Sequence, residues 1–232
     1  EFAWLAANAD DADSELSWIV AATLYEAGAL PEASQLARSR LRSFHKSAPI
    51  GRDRLLWRIA YPRAYEPLIE SAARQAGVPA EFVRGVAREE SSFNPNSVSS
   101  ALAYGLIQLI RPTARTHARS LKLPSDPASL KRPEINLRIG AHYIRSLWLR
   151  YPQNPAIVPA AYNAGEAAAD KWLRERGSQP LDEWIEAIPY RETRRYTRRV
   201  LQSYGIYAWL DTGKLPPLPA TLPSAPALLL KP

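Results

Sequence analysis

The sequence predicts an all-α protein, and three observations carry that prediction. Apolar residues recur at the three- and four-residue spacing of helices, Gly and Pro fall where helices would start or stop, and no stretch alternates β-branched residues. Ser14 to Gly28 reads as an amphipathic helix with Leu16, Ile19, Val20, Thr23, Leu24 and Ala27 on one side. Pro31 suits the first turn of a second helix reaching about Phe44 and carrying Leu36, Ala37, Arg40 and Leu41, so the pair forms a helical hairpin. A lone hairpin cannot bury its own apolar face; it either caps a longer helical array or packs on the domain C-terminal to it. Residues 47–62, with Pro49, Gly51 and Pro62, read as a connector. Helices are then expected at 65–76, 79–92, 101–110, 112–121, 136–151, 156–163, 167–176, 181–187 and 190–210. The Pro-rich segment 213–232 reads as an extended tail, Leu228 to Leu230 included.

One side chain stands out from this pattern. Phe82, Val83, Val86 and Ala87 form a single stripe, and at about 100° per residue Glu90 projects within roughly 10° of its centre. Glu89 falls near the edge, while Glu81, Arg84 and Arg88 face the other way. Burial disfavours an ionised carboxylate and raises its pKa, and a Glu tuned to about 6 to 7 can deliver a proton to a leaving group. The plainer alternative is a solvated helix end with no catalytic meaning.

Composition narrows the chemistry. The 232 residues contain no Cys, so thiolate catalysis and disulfides are excluded. His45, His117 and His142 lack metal-ligand spacing, so neither a metal nor a cofactor is expected. No apolar run approaches the roughly 18 residues of a membrane helix. A net charge of +7 suits an anionic partner, but the arginines between Arg191 and Arg199 alternate with Tyr196 and precede Val200 and Leu201 at helical spacing; no nucleic-acid module is recognisable and no nucleic acid is expected. The chain starts at Glu1 without Met, which reads as a processed or excised part of a longer protein.

Four ordered blocks carry more. Glu90-Ser91-Ser92-Phe93-Asn94-Pro95, Gly105-Leu106-Ile107-Gln108-Leu109, Ala161-Tyr162-Asn163-Ala164-Gly165 and Glu192-Thr193-Arg194-Arg195-Tyr196 occur in this order. Tyr61-Pro62, Tyr65, Asn136, Gly140, Tyr143 and Ile188-Pro189-Tyr190 accompany them. Together they resemble the catalytic domain of the soluble lytic transglycosylases, over about residues 60 to 210.

The resemblance implies a lysozyme-like (goose-type) helical domain at 61–212, with 1–60 as hairpin and connector ending an α-superhelical region. It implies cleavage of peptidoglycan glycan strands between N-acetylmuramic acid and N-acetylglucosamine, leaving 1,6-anhydromuramic ends, in the periplasm or cell envelope. Glu90 matches the single catalytic acid and base, and Glu89 a variable position. Ser99 matches a hydroxyl near the reacting sugar, Gln108 and Asn163 groove amides, Tyr162 a phenol beside the acid, and Glu192 a groove carboxylate. A loop-stabilising Ser99, capping or core roles for the amides, and structural roles for Tyr162 and Glu192 stay open.

Of Tyr104, Tyr143, Trp148, Tyr162, Trp172 and Trp184, one or two are expected to reach the groove. The chain departs from the family pattern at Leu102, where Gly is usual, at Ile107, where Met is usual, and at Ile110-Arg111 and Glu166-Ala167. Two rivals remain at this point: a muramidase that uses water as acceptor, and a wall-binding scaffold without activity. A monomer is expected, and other cell-wall proteins are open as partners.

Overall fold

The computed structural model describes residues 14–40, 48–51, 53–152, 154 and 156–222. The expected helix end at Phe44, with Leu41, and the tail leucines Leu228 to Leu230 lie outside them. The helices are α1 (Ser14–Glu26), α2 (Leu30–Arg40), α3 (Asp53–Ala60), α4 (Glu66–Ala76), α5 (Ala80–Ser91), α6 (Arg111–Leu121), α7 (Pro133–Arg150), α8 (Ile157–Ala164), α9 (Glu166–Arg176), α10 (Leu181–Glu186) and α11 (Arg191–Thr212). Strands β1 (Ala103–Tyr104) and β2 (Leu109–Ile110) form a small antiparallel ribbon between α5 and α6. No helix among the described residues is long and apolar enough to cross a membrane.

Helix α5 is the centre of the packing. Its stripe Phe82, Val83, Val86 and Ala87 is fully buried, and it lies against α11 and α4. Gly85 permits the contact with α11, because a Cβ there would stand 3.2 Å from the Tyr204 backbone nitrogen. Helix α4 in turn packs on α7, and α11 on α8. The side of α5 expected to face away from the stripe is also buried. Arg84 is 1% exposed and pairs with Asp211 at 3.0 Å, whereas Arg88 is 5% exposed and donates to the Ala60 carbonyl from Nε and Nη2. The Arg88 guanidinium also lies 3.8 Å from the centre of the Tyr61 ring.

The hairpin expectation holds with a different buried face. Ser17, Ala21 and Leu24 of α1 are buried, with Ala33, Leu36 and Ala37 of α2, while Leu16, Ile19, Thr23 and Ala27 are exposed. Small residues decide the face: Ala and Ser let the two helices approach more closely than a Leu and Ile stripe would. The connector also needs correction, since it contains α3. Asp53 in its first turn and Arg58 in its last suit the helix dipole, and Trp57, Ile59 and Ala60 are buried. Hydroxyl Ser34 Oγ donates to the Ala60 carbonyl at 3.0 Å and ties the hairpin to it.

The expected helix at 101–110 is absent, and its place is taken by the β1–β2 ribbon, with Ala103 opposite Ile110 and Tyr104 opposite Leu109. Helix propensity loses here to one buried amide. Asn136 Oδ1 accepts from the Ile107 backbone N–H at 3.0 Å, and its Nδ2 donates to the Tyr104 and Leu130 carbonyls at 2.9 Å each. The turn needs left-handed backbone at Leu102 (φ 56°), Gly105 (φ 80°) and Gln108 (φ 47°), which no helix supplies. At Gly105 a Cβ would also meet the Leu130 carbonyl at 2.3 Å and Asn136 Nδ2 at 2.4 Å.

These positions give opposite expectations. Gly105→Ala is expected to lower stability by about 2 to 4 kcal/mol, from strain and from displacing the amide. Leu102, 59% exposed, holds a conformation that L-residues enter at a cost of about 1–2 kcal/mol, so Leu102→Gly is expected to raise stability by about 1 kcal/mol. Urea melts of the two variants check both signs.

Candidate active site

The end of α5 opens onto a cleft of about 520 Å³ whose lining includes Glu90, Ser99, Gln108, Tyr143, Tyr162, Asn163 and Glu192. All six site residues expected from the sequence therefore meet in one place. Glu90 comes from the last turn of α5, Ser99 from the loop before β1, Gln108 from the ribbon turn, Tyr162 and Asn163 from α8, and Glu192 from the first turn of α11. Leu109, Ile110 and Thr113 complete the wall on the ribbon side.

Burial pushes the Glu90 carboxyl up from 4.5 to about 7. The Tyr196 hydroxyl and the Arg199 guanidinium pull it down, while Glu192 and Glu89 push it up. Glu90 is thus divided between its acid and its carboxylate near neutral pH. Tyr196 is buried, and beyond its interaction with Glu90 its hydroxyl has no well-aligned partner among the described residues. Burial first, and then the nearby Glu90, raise the phenols of Tyr162 and Tyr196 well above their ordinary value. Both remain neutral donors.

The polar partners of the other residues are defined. Tyr162 donates to the Ile107 carbonyl at 2.6 Å, and Asn163 Oδ1 accepts from Thr193 Oγ1 at 2.5 Å. Gln108 Nε2 donates to the Ser97 and Gly105 carbonyls at 3.2 and 2.8 Å, and Ser99 Oγ accepts from the Ala103 N–H at 3.1 Å. Gln108 and Ser99 therefore brace the ribbon as well as lining the cleft. Of the six aromatics considered, Tyr143 and Tyr162 reach it. Trp172 and Trp184 are core, and Trp148 packs edge-on against Phe82. Among the described residues no cluster of three or more His, Asp or Glu is arranged to hold a metal.

The family model of the transglycosylase SLT domain matches residues 67–185, a span that runs from α4 through the cleft to α10. The chain belongs to this family. The soluble lytic murein transglycosylase of Escherichia coli K12 is 32% identical over 161 residues, which is 68% of this chain and 25% of that protein. The chain thus spans about a quarter of the length of the curated relatives it matches. An X-ray structure of an inactive mutant of the lytic transglycosylase Slt from Pseudomonas aeruginosa superposes with a TM-score of 0.74 at 26% identity, covering 87% of this chain and 31% of that one. The 70 kDa soluble lytic transglycosylase of Escherichia coli superposes with a TM-score of 0.77 at 24% identity, covering 88% and 32%, and shows the same fold.

Two residues that bear on the acid of this SLT domain are given no role by the sequence. Tyr196 reads there as an apolar member of the last helix, although it lies four residues beyond Glu192 and therefore shares its face. Glu89 reads as lying at a stripe edge. Its carboxylate is 2% exposed, accepts from Arg88 Nη1 at 2.6 Å, Ser203 Oγ at 2.8 Å and Arg38 Nη2 at 3.2 Å, and forms an ion pair with Arg199 Nε at 3.3 Å. The family departure at Leu102 keeps the left-handed backbone without the Gly, and Ile107 is fully buried behind the ribbon.

An acid whose folded pKa exceeds its unfolded value destabilises the fold as pH rises past the unfolded value, and the effect is complete above the folded one. For Glu90 that window runs from 4.5 to about 7. Glu90→Gln is therefore expected to leave stability unchanged at about pH 4 and to raise it by up to about 3 kcal/mol at about pH 8. Chemical denaturation of both proteins at the two pH values checks it.

Proposed function

We propose that this chain carries a peptidoglycan lytic transglycosylase, with Glu90 as general acid and then general base. The observation that carries the proposal is a buried carboxyl with a pKa of about 7, facing a cleft beside neutral phenols and amides. Relatives named lytic murein transglycosylases support the substrate class. In this reading protonated Glu90 donates its proton to the glycosidic oxygen between N-acetylmuramic acid and N-acetylglucosamine. The C1–O bond breaks and positive charge develops at C1 of the muramic sugar. The carboxylate left behind takes the proton of that sugar's C6 hydroxyl, whose oxygen bonds to C1 and closes the 1,6-anhydro ring. Glu90 ends the cycle protonated, and no water is consumed.

Glu90 needs little from a second carboxylate in such a cycle, whereas a hydrolase uses one as nucleophile or base. Glu192 is the other acid in the cleft; it is exposed on the first turn of α11, and we assign it to substrate contact. Tyr196 and Arg199 temper the acid, and Ser99, Gln108, Tyr162 and Asn163 line the sugar path and position it. The envelope location, the monomeric state and the division into 1–60, 61–212 and 213–232 belong to the same reading.

Digestion of purified sacculi followed by mass spectrometry of the soluble products tests it. Anhydromuramic ends are expected, and reducing muramic ends would assign a muramidase instead. Glu90→Gln is expected to lower turnover by about 10²- to 10⁴-fold with glycan binding retained. Because only the protonated acid starts the cycle, kcat/KM is expected to fall as pH rises through about 7. Binding to sacculi without soluble products would point to a scaffold.

A further inference from the structure

Helix α5 ends in a clamp that comes from the hairpin. Arg38 of α2 reaches three groups in that last turn: Nη1 donates to the Arg88 carbonyl and to Ser92 Oγ at 3.2 Å each, and Nη2 donates to Glu89 Oε2 at 3.2 Å. A guanidinium there satisfies a carbonyl at the helix end and matches the negative end of the helix dipole. Glu89 is held from the far side as well, by Arg199 and Ser203 of α11 and by Arg88. Across Glu90, Ser91 Oγ donates to the Leu106 carbonyl at 2.7 Å. The two chain neighbours of Glu90 are thus fastened to different parts of the molecule, one to the hairpin and α11, the other to the cleft ribbon.

We propose that Arg38 is a positioning residue for Glu90: by fixing Glu89 and the terminal turn of α5, it makes the docked hairpin part of the catalytic apparatus. The inference rests on the transglycosylase reading and deepens it. The geometry favours it because, among the described residues, Glu90 has no fastening of its own besides Tyr196, so its direction is set by the turn that carries it. Electrostatics adds a second link. Glu90 is faced by Tyr196, Arg199 and Glu192 of α11, by Tyr162 of α8 and by Glu89 on its own helix. Glu89 is faced by Arg38, Arg88, Arg199 and Tyr61. Removing Arg38 leaves the Glu89 charge less compensated, which favours the protonated form of Glu90. Removing the Glu89 charge has the reverse effect and leaves Arg199 uncompensated nearby.

The test uses the full chain on sacculi, comparing wild type, Arg38→Gln, Arg38→Lys and Glu89→Gln, with thermal melts to establish folding. Arg38→Gln is expected to lower kcat on the order of 10- to 100-fold with KM within about twofold. Its alkaline limb is expected to move up by about half a unit to one unit, and that of Glu89→Gln to move down by as much. Arg38→Lys keeps the charge without the fork and is expected to fall between wild type and Arg38→Gln in kcat, with a smaller limb shift.

A folded Arg38→Gln with wild-type kcat and an unmoved limb overturns the proposal. A loss of activity with no movement of either limb overturns it too, because a purely structural role predicts that result. If Arg38→Gln does not fold, Arg38→Lys decides: a kcat and limb equal to wild type overturn the proposal, and an intermediate kcat with an upward limb supports it. An inactive wild type removes the transglycosylase reading and this inference with it, whereas an active wild type indifferent to Arg38 removes this inference alone.

Discussion

A carboxyl group withdrawn from water at the end of a buried helix is the constraint around which the site is arranged. Desolvation alone would drive Glu90 far toward its neutral form. Tyr196 and Arg199 oppose that push, and the balance leaves the group near 7. Both opponents come from α11, which can approach α5 closely because position 85 has no side chain. A packing decision in mid-helix therefore sets the proton affinity of a group more than one turn away. The ordering is physical: close helix contact first, then the phenol and guanidinium within range, then a proton shared with neutral solution.

Helix α5 carries four ionisable residues from Arg84 to Glu90 within a packed interior, an arrangement that is destabilising unless each charge finds partners. Arg84 meets Asp211, Arg88 meets the Ala60 carbonyl and the face of Tyr61, and Glu89 meets three guanidinium groups and a hydroxyl. Among the described residues, Glu90 alone of the four has no counter-ion in direct contact. That asymmetry separates two adjacent glutamates of identical chemistry. One is ringed by guanidinium groups; the other meets a single guanidinium at longer range, and burial leaves it able to carry a proton.

Much of this is legible in the sequence, because the signals are local and periodic. The 3.6-residue repeat puts Glu90 on the apolar stripe, Gly and Pro mark most helix ends, and the ordered blocks with the loop at Ser99 single out Gln108, Tyr162, Asn163, Glu192 and Ser99, which line one cleft. The features that escape are decided by distant partners. Residues 101–110 have helical propensity, yet their backbone groups are claimed by Asn136, which lies far along the chain. The face of α1 turns on close approach between small side chains, which a hydrophobicity pattern does not register. Helix α3 is too short for its period to stand out between Gly51 and Pro62. The clamp on Glu89 joins α2, α5 and α11, and no pattern within one segment announces it.

The role of Asn136 bears on how this cleft can diversify. One amide satisfies a turn N–H, a strand carbonyl and the carbonyl of the preceding 3₁₀ turn, so the ribbon, that turn and α7 form a single frame. Replacing the amide would orphan all of these groups together, at about 1–3 kcal/mol for each. Change is therefore channelled toward the rim, where the side chains of Leu102 and Ile110 are exposed. Substitutions there can alter the width and polarity of the entrance while the frame behind it stays as it is.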